Sequence, residues 1–127
     1  MDRSEILDRL RAFPCDRGEY WVVAGGAMVL HGLREQTADL DLGCSRELAD
    51  RLEADGVPFR RTEDGKRFFR YDDSVEIFEG WLSDRVETLC GVPVVSLRGL
   101  LEMKRRLGRE KDLRDIALIL AALGDKA

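Results

Sequence analysis

Asp39 and Asp41 stand two residues apart, interleaved with Leu40 and Leu42. Side chains alternate faces along a strand, so this spacing points both carboxylates one way and both leucines into a core. Two carboxylates roughly 7 Å apart on a strand repel each other unless a cation lies between them. Hard cations such as Mg²⁺ or Mn²⁺ take oxygen ligands and keep positions open for phosphate oxygens. In isolation Asp-x-Asp is usually just a polar strand face. Here it is preceded by Gly25-Gly26, set between an apolar run and a short helical stretch. Glycine there is expected to supply positive φ and to let the backbone approach a ligand closely. The N-terminus of the following helix offers free N–H groups and the positive end of a dipole, both suited to phosphate.

Glu76 is the third acid. In Val75-Glu76-Ile77-Phe78 the apolar Val75 and Ile77 face one way and Glu76 the other. If that strand lies beside the aspartate strand, the three carboxylates share a face, as two-metal phosphoryl or nucleotidyl transfer requires. Glu76 would then bind metal or accept the proton of an attacking hydroxyl. Lys104 falls on the helical stripe of Leu97, Leu100 and Leu101. A lysine in that position either snorkels to solvent or meets an anion, here a phosphate or one of the acids. Asp112 is placed to pair with Lys104 or Arg105. His31, the single histidine, excludes sites built from several histidines, and Cys44 has no partner base. Trp21, Phe68, Phe69 and Trp81 could stack a base, although strand aromatics more often fill a core.

These residues need elements to hold them. A capping box from Asp2 to Glu5 opens a helix through Ile6, Leu7 and Leu10 that Pro14 stops. Tyr20 to Ala24 reads as a strand, Ala27 to about His31 as a short helix closed by Gly32, and Leu40 and Leu42 as part of a second strand. Ser45 caps a helix ended by Gly56. Strands are expected at Pro58–Thr62, Lys66–Tyr71 and Ser74–Phe78, with turns at Asp64-Gly65 and Asp72-Asp73. Arg85 to Val95 forms a hairpin around Gly91; Ser96 caps a helix to about Leu107, and Glu110 to Leu123 makes the last one.

The whole, residues 1–127, is expected to be one domain of α/β (α+β) class, a mixed sheet covered by helices. The chain has 44% hydrophobic and 36% charged residues, the balance of a soluble globular protein. No apolar run reaches membrane-spanning length and the N-terminus lacks a signal-peptide core, so a cytoplasmic protein without membrane contact is expected. Three scattered cysteines with no Cys-x-x-Cys spacing indicate neither a zinc site nor a disulfide framework. The net charge of −4 argues against a general nucleic-acid binder. Long RNA or DNA is the least attractive partner unless the basic stretches, Arg60-Arg61 with Lys66-Arg67 and Arg98 to Arg114, cluster on one face.

The stretch VVAGGAMVLHGLREQTADLDLG resembles the signature of the DNA polymerase β-like nucleotidyltransferase superfamily. That signature is a hydrophobic strand, Gly-Gly or Gly-Ser, a spacer, then Asp-x-Asp. The form with Arg34 and Thr37 ahead of the acids is most similar to the minimal nucleotidyltransferases and AbiEii-type toxins. The stretch VVSLRGLLEMKRRLGREKDLRDIALI also resembles those groups, where a Lys-bearing helix precedes an Arg-x-Lys-Asp segment.

The resemblance implies a nucleotidyltransferase fold with a largely antiparallel sheet. It also implies transfer of NMP from an NTP to a hydroxyl acceptor. Gly25 and Gly26, with Thr37 and Lys104, would bind the nucleotide, and Asp39, Asp41 and Glu76 would hold metal. The serine of Gly-Ser members is absent, Gly26 standing in its place, and the third acid is Glu rather than the commoner Asp. The expected acceptor is a small molecule such as an aminoglycoside, a tRNA end, or a protein in a toxin–antitoxin pair, with a homodimer mate or another protein completing its site. The alternative is a nucleotide-binding or partner-binding module that keeps the fold with weak catalysis.

Overall fold

The computed structural model describes residues 1–124. Seven strands form one mixed sheet: β1 (Tyr20–Val23), β2 (Leu40–Cys44), β3 (Phe59–Arg61), β4 (Arg67–Arg70), β5 (Val75–Glu79), β6 (Val86–Leu89) and β7 (Val92–Val95), in the spatial order β3-β4-β5-β2-β1-β7-β6. Only β1–β7 and β2–β5 pair in parallel, so the sheet is largely antiparallel as expected. The parallel β2–β5 pair needs a long crossover, and α3 (Arg46–Ala54) with the β3–β4 hairpin supplies it. The other helices are α1 (Arg3–Arg11), α2 (Ala24–Leu30), α4 (Leu97–Leu107) and α5 (Leu113–Gly124), the last preceded by a short 3-10 turn at Glu110–Asp112.

Local signals explain most boundaries. The Asp2–Glu5 capping box forms in both directions, and Ser45 and Ser96 cap α3 and α4 through Leu48 and Gly99 N–H groups. Gly108 closes α4 in the left-handed conformation. Cys90 and Gly91 both take positive φ, 53° and 78°, the requirement of the tight turn joining β6 and β7. The core is the alternate-residue face of the central strands, Val22, Leu40, Leu42, Ile77 and Val94, all fully buried. Helix α2 packs on β1, β2 and β7.

Three expectations shift. α2 begins at Ala24 rather than Ala27, so Gly25 and Gly26 lie in its first turn and not in a loop. β2 starts at Leu40, leaving Asp39 one residue before the strand. The Glu110–Leu123 segment opens with the 3-10 turn before α5 proper. The early start of α2 follows from packing: Gly26 is buried against Val22 and Leu40, where a Cβ would stand 3.0 and 3.1 Å from their methyl groups. The weak helix propensity of two glycines is overridden by that close seat on the strands.

Gly43 shows how tightly one wall is set. It lies two residues beyond Asp41 on β2, and a Cβ there would fall 2.0 Å from Trp21 Nε1 and 2.7 Å from the Trp81 carbonyl oxygen. Trp21 Nε1 donates to that carbonyl at 2.8 Å, tying β1 to the segment after β5. Gly43→Ala is expected to break this tie and destabilise the protein by about 1–3 kcal/mol, the range for overpacking a close-packed site; urea unfolding measures it, and an unchanged midpoint would show that Trp21 moves aside freely.

Candidate functional site

Register decides where the acids meet. On β2 and β5, Asp41 is the direct partner of Glu76, with Leu40 opposite Val75 and Leu42 opposite Ile77. Neighbouring strands lie about 4.8 Å apart, so the two carboxylates leave adjacent backbones on one face while the four apolar partners are buried. Asp39, exposed at the entry to β2, lines the same cleft. That cleft has a volume of about 890 Å³, and Ala24, Asp39, Asp41 and Glu76 contribute to its lining. The structure thus sets the three sequence-selected acids along one cleft, with Asp41 and Glu76 as direct neighbours.

Their electrostatics are unbalanced. Burial, then Glu76, then Asp39, push the Asp41 carboxyl up to about 6; Lys104 and Arg109 pull the other way without cancelling this. Oxygen donors with uncompensated negative charge fit a hard divalent cation, which would relieve the repulsion. Among the described residues no three acid, histidine or cysteine side chains are grouped so that they could hold a metal ion together. The fit is therefore one of donor type and charge, to an open set of carboxylates.

The glycine turn works differently from its expected role. Neither Gly25 nor Gly26 has positive φ; Ala24, at 54°, carries the left-handed turn from β1 into α2 and borders the cleft. A non-glycine residue held there is strained. Gly25 instead makes room for Thr37, whose Oγ1 would sit 2.2 Å from a Cβ at that position. Thr37 is buried, and its hydroxyl donates to the Asp39 carbonyl at 3.2 Å. Its bonds orient the acid-bearing segment and it is not among the cleft-lining residues. Neither glycine is among the cleft-lining residues, and Val23 provides no side-chain cap for the N–H groups of the first turn of α2.

Lys104 meets anions, one of the two outcomes its place on the apolar stripe allows, and it does not line the cleft. It is buried, 3.0 Å from Asp115 Oδ2 and 3.6 Å from Asp112 Oδ1. Its charge is spent joining α4 to α5. Asp112 also takes a bidentate pair from Arg109, Nε at 2.7 Å and Nη2 at 3.1 Å. Arg109, with Lys104 and a backbone N–H, holds the Asp112 carboxyl below the usual carboxylate range. Arg109 itself lines the cleft with Arg106 and Lys111, and its charge acts on Asp41. Sequence reading placed these three in the basic stretch from Arg98 to Arg114, with Arg109 and Lys111 in the Arg-x-Lys-Asp segment, and gave none of them a role in the site. The Arg109–Asp112 spacing of three residues was the available signal, but only the fold turns Arg109 toward the acids.

The aromatic candidates divide. Phe69 is core and Trp21 is fixed by its bond to Trp81. Phe68 and Trp81 line the cleft, joined by Phe78, which the sequence did not single out. His31 Nε2 lies 2.8 Å from the Val95 carbonyl oxygen, a structural contact. Cys44 is buried in β2, and burial pushes its thiol up to about 12, an inert group.

No family model matches the chain, and no curated protein matches its sequence. Two solved structures share its fold. The aminoglycoside nucleotidyltransferase ANT(2″)-Ia, in complex with adenylyl-2″-tobramycin, is similar at a TM-score of 0.61 and 18% identity, over 98% of this chain and 90% of that one. A candidate nucleotidyltransferase from Thermotoga maritima is similar at a TM-score of 0.52 and 21% identity, over 96% of both chains. The chain has the nucleotidyltransferase fold. Among the described residues no helix is long and apolar enough to cross a membrane.

The Asp41 carboxyl is raised in the folded protein, from 3.8 to about 6. A raised acid contributes stability below its unfolded value, and that contribution is lost as pH climbs through the folded value. The ion-free protein should therefore lose stability between pH 4 and about 6 on account of this group. Asp41→Asn should flatten that slope and be about 1–2 kcal/mol more stable than the parent at pH 7.5, as read by urea unfolding at a series of pH values. A variant less stable than its parent at pH 7.5 would show that Asp41 is compensated in the fold.

Proposed function

We propose that the protein transfers NMP from an NTP to a hydroxyl acceptor. The observation that carries this reading is the pairing of Asp41 with Glu76 beside Asp39, in a cleft bordered by the uncapped start of α2 and by Arg109. The fold neighbour bound to adenylyl-2″-tobramycin supports it, being a nucleotidyltransferase that holds a nucleotidyl product.

In this reading the N–H groups of Gly25 and Gly26 and the guanidinium of Arg109 receive the β- and γ-phosphates. Asp39, Asp41 and Glu76 would hold Mg²⁺ or Mn²⁺, which supplies charge neutralisation at the phosphates and a lowered hydroxyl pKa. Glu76 takes the proton of the acceptor hydroxyl. The acceptor oxygen bonds to the α-phosphorus, the bond from that phosphorus to the bridging oxygen breaks, and pyrophosphate leaves toward Arg109 and α2. Lys104 acts through Asp112, which clamps Arg109, and Thr37 acts by fixing the Asp39 backbone. Kinship with the minimal and AbiEii-type enzymes, a toxin–antitoxin setting, a protein or homodimeric partner and a cytoplasmic site form part of the same proposal and rest on the sequence.

One observation favours the second reading, a nucleotide-binding module with weak catalysis. Lys104 is committed to Asp112 and Asp115, leaving fewer free cations for the phosphates. Incubation with each α-labelled NTP, Mg²⁺ or Mn²⁺ and cell extract separates the two. Transfer should occur and fall to background in Asp39→Ala and Asp41→Ala, while Glu76→Gln should lower it by about 10²–10⁴-fold, the range for a lost general base. Label remaining on free nucleotide, with NTP still bound, would establish the binding module instead.

Arg109 gives an independent check. Loss of a charge-assisted bond to phosphate is worth about 1.5–3 kcal/mol, so Arg109→Ala should weaken NTP binding by roughly 10- to 100-fold. Calorimetric titration with a non-hydrolysable NTP measures this; an unchanged affinity would confine Arg109 to its pair with Asp112.

A further inference from the structure

If the transfer proposed above is correct, register also decides where the base of the nucleotide lies. Val23, Asp41 and Glu76 form one row across β1, β2 and β5, and α2 starts directly after Val23. With pyrophosphate leaving towards α2 and the acceptor hydroxyl at Glu76, the in-line axis runs along this row, across the strands. The ribose oxygen is equatorial to that axis, so sugar and base extend along the strands. In one direction β2 begins, with the exposed Asp39 just ahead of it. In the other, the next residues on the site face are Gly43 and Phe78, again partners in register. Two residues along a strand is about 7 Å, a distance that a ribose bridges between its phosphate and its base.

What stands there is aromatic. Phe78 meets Phe68 of β4 edge to face with ring centres 4.4 Å apart, and Trp81 lies 4.7 Å from Phe78 at a tilt of 54°. All three rings are half-buried and line the cleft. The absence of a side chain at Gly43 lets Trp81 approach. The Trp81 carbonyl oxygen would stand 2.7 Å from a Cβ there, and Trp21 Nε1 donates to that oxygen at 2.8 Å. The Trp81 backbone is thus pinned over β2, two residues from Asp41. Arg60, which does not line the cleft, sets its guanidinium 4.5 Å over the Phe68 ring and supports it from outside.

The acids of this part of the cleft do not oppose a neutral ligand. Glu79 is engaged by Arg67, accepting from its backbone N–H, Nε and Nη2. Asp64 accepts from the Thr62 hydroxyl and the Lys66 N–H, and Glu63 is the other acid of the β3–β4 turn. A nucleobase is uncharged at neutral pH, so neither these acids nor Lys66 select against it. Adjoining rings suit a flat, uncharged group, because any base offers a π-face to stack whatever its edge carries. The base is the one such group that every NTP brings. We propose that Trp81 and Phe78, backed by Phe68, form the nucleobase subsite and hold the base by its face. All four NTPs then bind, purines ahead of pyrimidines through their larger ring system.

The test titrates the full chain, with Mg²⁺, against the α,β-methylene analogues of ATP, GTP, CTP and UTP and against inorganic tripolyphosphate, by calorimetry. The four analogues are expected to bind within roughly tenfold of one another, since stacking tolerates any base. Trp81→Leu and Phe78→Leu should each weaken the ATP analogue about tenfold, and Trp81→Leu should narrow the gap between purines and pyrimidines. Trp81→Phe, which keeps a π-face, should restore most of the loss. Tripolyphosphate has no base, so its affinity should stay at the parent value in all three variants, which also shows that they fold. Unchanged analogue affinity in both leucine variants would overturn the subsite. So would an equal loss for tripolyphosphate, which would make the rings scaffold only, or a parent preference above a hundredfold for one base, which would mean that its edge is read. A parent that binds the analogues with no effect of the ring variants defeats this subsite alone, whereas a parent that binds neither analogue nor tripolyphosphate defeats the transfer reading beneath it.

Discussion

The parallel register of β2 and β5 is the constraint on which the site depends. It sets Asp41 beside Glu76, and burial together with the charges of Glu76 and Asp39 disfavours the ionised form of Asp41. The same register places Leu40 against Val75 and Leu42 against Ile77, all buried in the core. A slip of one residue would exchange the faces, burying the carboxylates and exposing the leucines. Hydrophobic burial therefore holds the acids together against their own repulsion. The core is the device that stores the electrostatic strain of the site.

A second network presents positive charge to that strain. Lys104 reaches from α4 to Asp112 and Asp115, and Asp112 clamps Arg109 in a bidentate pair. A buried cation between two helices stabilises little by itself, since desolvation offsets much of the attraction. Its value here is geometric. With Lys104 and Asp112 fixed, Arg109 borders the cleft in a defined place, and it keeps its charge at any pH where the protein folds. In the transfer reading proposed above, the α2 terminus offers N–H groups to phosphate from another direction, and the positions of the two elements are set by separate packing contacts.

Much of this was legible before the fold was known. Asp39, Asp41 and Glu76 were readable because strand alternation is a local rule, and the capping residues Asp2, Ser45 and Ser96 likewise act within one turn. The mistakes came where tertiary packing overrides local preference. Two glycines read as a loop, yet Gly26 sits in a helix because only a residue without Cβ fits against Val22 and Leu40. The positive φ fell to Ala24, which nothing in its side chain announces. Arg109 was noted only as part of an Arg-x-Lys-Asp segment and Phe78 only as a strand residue, and it is the strand order and the α4–α5 turn that bring them to the cleft of the acids.

The same distinction between local and long-range information bears on charge. A net charge of −4 speaks to the molecule as a whole, but binding of a short flexible ligand responds to potential within about a Debye length, near 8–10 Å. Arg61 and Arg67 point to the face where Glu53, Asp50 and Glu79 consume them, while Arg60 and Arg70 emerge among aromatic rings on the other. Alternation along two short strands thus sorts one basic stretch into a structural half and an available half. Composition averages the two together, and for that reason it is a weak guide to what an acidic protein of this fold can hold.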